Sequence, residues 1–137
     1  MASKIEGGCL CGAVRYECGA EPKGVSVCHC THCQKTSGGA FSDNVVVPAD
    51  SLSLPRDKIA TYTVTADSGR PLVRSFCPVC GSSIGSESQN FPGMFILKAG
   101  TLDDTSWVQP MVHIWTGSRQ PWVAIPATIK TFEKGRT

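Results

Sequence analysis

Long apolar runs are missing from this sequence. Its first residues, Met1 to Gly8, hold no apolar stretch of the kind that marks a secretory leader, and no later run approaches the length of a membrane span. The expectation is a cytoplasmic protein with no membrane partner, in a compartment where thiols stay reduced. Charge is sparse as well, at 18% of residues, and Lys and Arg are scattered singly, so the basic cluster that a phosphate backbone requires is absent. The formal net charge of +2 counts every cysteine as neutral. Conversion of seven cysteines to thiolates on two zinc ions would bring it to about −1. Nucleic acid is therefore excluded as an expected partner, and with it a zinc-ribbon-like nucleic-acid binder. Low-complexity segments and repeats are absent too, and no stretch carries a long 3.6-residue period with caps.

What is present suits one compact domain. The 137 residues are 41% hydrophobic, enough to bury a real core. The expected boundaries are residues 1–137, with the core at about 5–125. Turn signals at Gly19 to Gly24, Ser37 to Gly39, Pro48 to Pro55, Asp67 to Pro71, Gln89 to Gly93 and Asp103 to Ser106 separate short stretches of strand composition. Val14 and Tyr16 alternate with Arg15 and Glu17. Val45 to Val47 is β-branched, and Ile59 to Thr65, Leu72 to Phe76, Met94 to Leu97, Val112 to Trp115 and Trp122 to Ile125 complete the set. One short helix is expected after Cys30, capped by Thr31 and running through Lys35. The fold class is mostly β, with short strands and metal-bearing loops.

The eight cysteines carry the chemistry. Cys77-Pro78-Val79-Cys80-Gly81 is a C-x-x-C-G knuckle, a spacing that lets two sulfurs reach one ion. Zinc takes four soft ligands tetrahedrally at about 2.3 Å for sulfur, so a second pair is needed, and Cys9-Leu10-Cys11 is the natural donor. Glycines flank these pairs at Gly8, Gly12 and Gly81, where metal-binding turns need tight backbone. Cys28-His29-Cys30-Thr31-His32-Cys33 offers three thiols within one loop. Three protein ligands with one open corner is the pattern of a catalytic zinc. The competing reading closes that corner with His29, His32 or His113 and makes the site structural. Cys18 shares a strand face with Val14 and Tyr16 and reads as a buried spectator. A disulfide framework fits poorly with the absent leader. A thioredoxin-like redox pair fits poorly with the lack of a helix after Cys80.

These motifs together resemble the glutathione-dependent formaldehyde-activating enzyme family, also called the GFA-like or CENP-V/GFA domain family. The resemblance is carried by Gly7-Gly8-Cys9-Leu10-Cys11-Gly12-Ala13-Val14-Arg15-Tyr16, by Cys28 through Lys35, by Ser37-Gly38-Gly39-Ala40-Phe41 and by Phe76-Cys77-Pro78-Val79-Cys80-Gly81-Ser82. Lys98 to Asp103, His113-Ile114-Trp115 and Ser118 to Trp122 extend it, so that it covers about Gly7 to Trp122. It implies an Mss4-like fold of short antiparallel strands. It also implies a structural zinc on Cys9, Cys11, Cys77 and Cys80, and a second zinc on Cys28, Cys30 and Cys33. The implied reaction joins formaldehyde to glutathione, which is carbon–sulfur lyase chemistry, so the expected partners are a small thiol such as glutathione and a small aldehyde. Glutathione is rich in carboxylates, and Lys35, Lys98 and Arg119 are the candidate cationic contacts near the triplet. Two positions depart from the family pattern. Gln34 stands where a basic residue often follows the triplet, and the tail from Pro126 to Thr137 lacks the family's acidic, proline-containing ending. A non-catalytic, zinc-stabilised binding module of the same fold is the alternative function.

Overall fold

The computed structural model describes residues 4–135, so residues 1–3 and 136–137 of the expected domain lie outside it. In chain order the elements are β1 (Ile5–Gly8), β2 (Arg15–Cys18), β3 (Gly24–Cys28), α1 (Thr31–Ser37), β4 (Ser42–Pro48), β5 (Leu52–Ser53), β6 (Ala60–Thr65), β7 (Pro71–Phe76), β8 (Ser83–Ser88), β9 (Met94–Lys98), β10 (Val112–Ile114) and β11 (Lys130–Thr131), with short 3₁₀ turns between some of them. The fold is mostly β and Mss4-like. Two sheets form. The smaller has the order β1-β2-β5, and the larger runs β11-β10-β3-β4-β9-β8-β7-β6. No helix among the described residues is long and apolar enough to cross a membrane.

Alternation along the strands decides which face goes inward. On the large sheet Val25, Val45, Val47, Phe95 and Leu97 are buried, and they join Ile5, Val14, Tyr16 and Cys18 of the first turn and small sheet in one core. Cys18 is fully buried there, away from both cysteine groups. The opposite face of the large sheet also holds Val46 and Ile96 but is rich in polar residues. Register places Ser42 opposite Cys28, Asn44 opposite both Ser26 and Lys98, Ser86 opposite Ile96, and Arg74 opposite Ser86. Ser42, Asn44, Arg74, Ser86 and Lys98 on this face are all buried, although none is apolar.

Three sequence expectations need correction. Trp122 to Ile125 is a turn and irregular backbone, not a strand, because the Val123 amide closes back on the Gln120 carbonyl at 3.0 Å. The helix is capped by Cys30 rather than Thr31 and runs two residues past Lys35. Cys30 holds the extended backbone of a cap, and its sulfur accepts from the Cys33 amide. The strands are not all antiparallel: β10 pairs in parallel with both β3 and β11. Strands β1, β3, β5 and β8 are not legible as runs, since glycine and serine dilute their apolar pattern, and β11 is only the polar pair Lys130 and Thr131.

Candidate metal centres

Two groups of sulfurs form, each with all members within 4.8 Å of one another: Cys9, Cys11, Cys77 and Cys80, and separately Cys28, Cys30 and Cys33. Four sulfurs at about 2.3 Å from a common ion lie about 3.8 Å apart. The Cys9–Cys11 separation of 3.6 Å and the Cys11–Cys77 separation of 3.9 Å match that spacing. The donor chemistry and the span both fit a soft divalent ion.

Local backbone builds the first group. The β1–β2 connection turns so that the Cys9 amide donates to the Val14 carbonyl at 3.0 Å, while the Val14 amide donates to the Cys9 sulfur at 3.2 Å. The knuckle between β7 and β8 folds with Gly81 at φ 79°, a left-handed value that glycine adopts without a Cβ clash. Its amide reaches the Cys77 carbonyl at 2.8 Å. Ser82 stitches the two turns together. Its hydroxyl accepts from the Leu10 amide at 3.1 Å and lies 3.2 Å from the Cys80 sulfur, which pulls the Cys80 thiol down to about 5. Cys77 is fully buried, whereas Leu10 and Val79 at the turn tips are exposed.

The triplet sits where β3 runs into α1. Cys28 ends the strand, Cys30 caps the helix and Cys33 lies in its first turn, so one strand-to-helix corner points three thiols at one volume. Gly38 at φ 68° closes the helix. Hydrogen bonding from Cys28 and Cys30 pulls the Cys33 thiol down to about 2, with Lys98 and Arg74 adding positive charge, and the same contacts push Cys28 up. Among the described residues no fourth His, Cys, Asp or Glu joins the group. His32 is exposed. His29 is fully buried, but its Nε2 faces His113 Nδ1 at 2.8 Å, and its ring lies against Phe41. Burial lowers the pKa of both histidines, so the pair is neutral near pH 7.

The three cations named from sequence fall in different settings. Lys98 is buried, and its Nζ donates to Ser42 Oγ at 2.5 Å and to Asn44 Oδ1 at 3.3 Å. Burial lowers its pKa, and the three triplet sulfurs oppose that shift. Lys35 is exposed on the helix. Arg119 is exposed, donates to the Val123 carbonyl at 2.6 Å and borders a surface hollow of about 390 Å³ lined also by Thr116, Ile125 and Glu133.

Sequence reasoning missed two features. Gln34 is a clamp: its Nε2 donates to the His29 carbonyl at 2.8 Å and to the Ser118 carbonyl at 3.0 Å, while its Oε1 accepts from Gln120 Nε2 at 3.0 Å. The loop that brings Ser118 and Gln120 there leaves β10 through Trp115, which adopts the left-handed φ of 57° unusual for a bulky residue. The second omission is Arg74, buried in β7 with its Nη1 3.4 Å from Thr36 of the helix. A charged residue within the strand that leads into the knuckle was the available signal.

Comparison with known proteins gives three findings. The family described as glutathione-dependent formaldehyde-activating enzyme matches residues 4–118. A Phaeosphaeria nodorum protein named "Putative glutathione-dependent formaldehyde-activating enzyme" is 29% identical over 94 residues, covering 66% of this chain and 48% of that protein. The chain therefore spans about half the length of that curated relative. A crystal structure of a Rhodobacter sphaeroides protein superposes with a TM-score of 0.58 at 19% identity, covering 77% of this chain and 91% of that one, a likeness of fold.

Proposed function

The chain belongs to the glutathione-dependent formaldehyde-activating enzyme family, and from that membership we propose that it is a zinc-dependent carbon–sulfur lyase. Its reaction joins a small thiol, glutathione foremost, to formaldehyde or a related small aldehyde. The observation that carries the reading is the group of Cys28, Cys30 and Cys33, which takes in no fourth protein ligand among the described residues. Cys9, Cys11, Cys77 and Cys80 form the complete donor set of a structural zinc, and the triplet has the incomplete set of a catalytic one. Zinc held by the triplet supplies positive charge that favours the thiolate form of an incoming thiol.

The chain's own residues bind and orient. Gln34 and Gln120 fix the triplet loop against the C-terminal segment. The His29–His113 pair, neutral and packed against Phe41, adds no competing charge beside the triplet. Lys98, held by Ser42 and Asn44, keeps a cation beside the sulfurs. Lys35 and Arg119 are candidate contacts for the outer parts of glutathione. In the reaction a carbon–sulfur bond forms as the carbonyl π bond breaks, and the new hydroxyl oxygen takes up the proton that the thiol gave up. Formaldehyde needs little activation, so most of the advantage comes from orientation.

The test is exchange-resolved NMR of ¹³C-formaldehyde with glutathione at equilibrium. Zinc-loaded protein should speed exchange between free formaldehyde and S-hydroxymethylglutathione, and Cys30→Ser should abolish the gain. Exchange at the uncatalysed rate with fully zinc-loaded protein refutes the proposal.

A further inference from the structure

Two buried cations on the polar face of the large sheet lack an acidic partner. Arg74 and Lys98 are each 8% exposed. The ion pairs among the described residues, Lys4–Glu17, Arg15–Asp103 and Arg56–Glu87, include neither of them. Buried charge is normally paired, because desolvation is costly. Neutral oxygens alone hold the Lys98 ammonium, from Ser42 and Asn44. The Arg74 guanidinium makes one long bond, 3.4 Å to Thr36 Oγ1, and its buried Nε has no partner. Donor capacity is therefore in surplus where water has been removed.

Both cations stand beside the triplet. Lys98 lies opposite Asn44, Asn44 is two residues from Ser42, and Ser42 lies opposite Cys28. Arg74 reaches the helix at Thr36, whose hydroxyl also bonds the Cys33 carbonyl. Ser86, buried and opposite Arg74 in register, adds a hydroxyl to the same face. Three thiolates around a divalent ion keep a single net negative charge, and a substrate thiolate at the open corner makes it two, which the two cations match. What remains unmet is hydrogen-bonding capacity, at the Arg74 Nε and along its one long bond, and a carboxylate would satisfy it.

We propose that Arg74 and Lys98 form a carboxylate-binding subsite beside the triplet, which selects thiols that carry a carboxylate. This rests on the thiol-binding role proposed above. The planar fork of Arg74 suits a carboxylate, and Lys98 supplies a point charge from the neighbouring strand. Lys98 is thus a contact for the thiol's carboxylate, and Arg74 is its partner in specificity.

The experiment uses cobalt-loaded protein and follows the thiolate-to-cobalt absorption band during titration with 3-mercaptopropionate, 2-mercaptoethanol and cysteamine. Each variant is compared with the parent for the same thiol, so that differences in thiol acidity cancel. Arg74→Gln should weaken 3-mercaptopropionate by about tenfold or more, the scale of a lost charge-assisted hydrogen bond. It should change 2-mercaptoethanol by less than about twofold and should not weaken cysteamine. Arg74→Lys, which keeps the charge and removes the fork, should retain part of the preference, and it carries the test if the glutamine variant does not fold. Equal weakening of all three thiols would mean that the cations serve only to neutralise the cysteines, and it overturns the subsite while leaving thiol binding intact. No spectral response to any thiol in the parent overturns the subsite and the thiol-binding role together.

Discussion

Replacing Cys77 by serine should cost this protein most of its stability. Cys77 is fully buried, and its sulfur lies 3.9 Å from that of Cys11, 66 positions away in the chain. A metal on this group ties the β1–β2 turn to the end of β7, so its loss reopens a long loop. A cross-link closing a loop of that length is worth about 4 kcal/mol in chain entropy. The serine hydroxyl left buried without its partner adds about 1–3 kcal/mol. The sum, about 5–7 kcal/mol, reaches the lower end of the stability of a typical domain, about 5–15 kcal/mol. For a chain of this size the melting temperature should fall by at least about 12 °C, and soluble yield should drop with it. Thermal unfolding followed by circular dichroism, with metal content measured on the same samples, reads the effect. A Cys77→Ser protein that melts within about 3 °C of the parent would falsify the structural role of the four-cysteine group.

Cys30→Ser should behave differently, because the triplet lies in one corner and closes no long loop: the variant should fold, keep the metal of the four-cysteine group and lose the other, as read by metal analysis. Gln34→Ala removes hydrogen bonds to His29, Ser118 and Gln120 and should lower stability by about 2–3 kcal/mol in urea unfolding; an unchanged midpoint contradicts the clamp. Gly85→Ala should destabilise strongly, since a Cβ there collides with the Ile96 carbonyl and the Phe95 ring across the strand pair; a variant as stable as the parent would show that β8 and β9 are less closely apposed. For the His29–His113 pair, burial depresses both pKa values, so the unfolded chain binds protons more readily. Its stabilising contribution is complete above about pH 6.5, the unfolded value, and is lost as pH falls below it. Stability measured against pH should therefore decline less steeply below that point in His113→Asn, and an identical slope refutes the assignment.

Much of the candidate site was legible in the sequence because ligand spacing is a local property. Cys77 and Cys80 must share a turn, and so must Cys28, Cys30 and Cys33, whatever the rest of the chain does. Strand composition in Val45 to Val47 or Thr61 to Val64 was equally local, since β-branched residues favour extended backbone wherever they fall. Trp122 to Ile125 has the same composition yet forms a turn, because Gln120, Arg119 and the clamp at Gln34 bind it into the C-terminal loop. Lys98 reads in sequence as one of three candidate cations, and Arg74 as a charge between Val73 and Ser75. Only the pairing of β9 with β4 and of β7 with β8 places both on the polar face beside Cys28, stripped of water and without a carboxylate. The amino-acid sequence by itself determined which donors exist and which of them share a turn. The tertiary structure alone decided which charges are buried and what they face, because desolvation and partnership depend on strands brought together from distant parts of the chain.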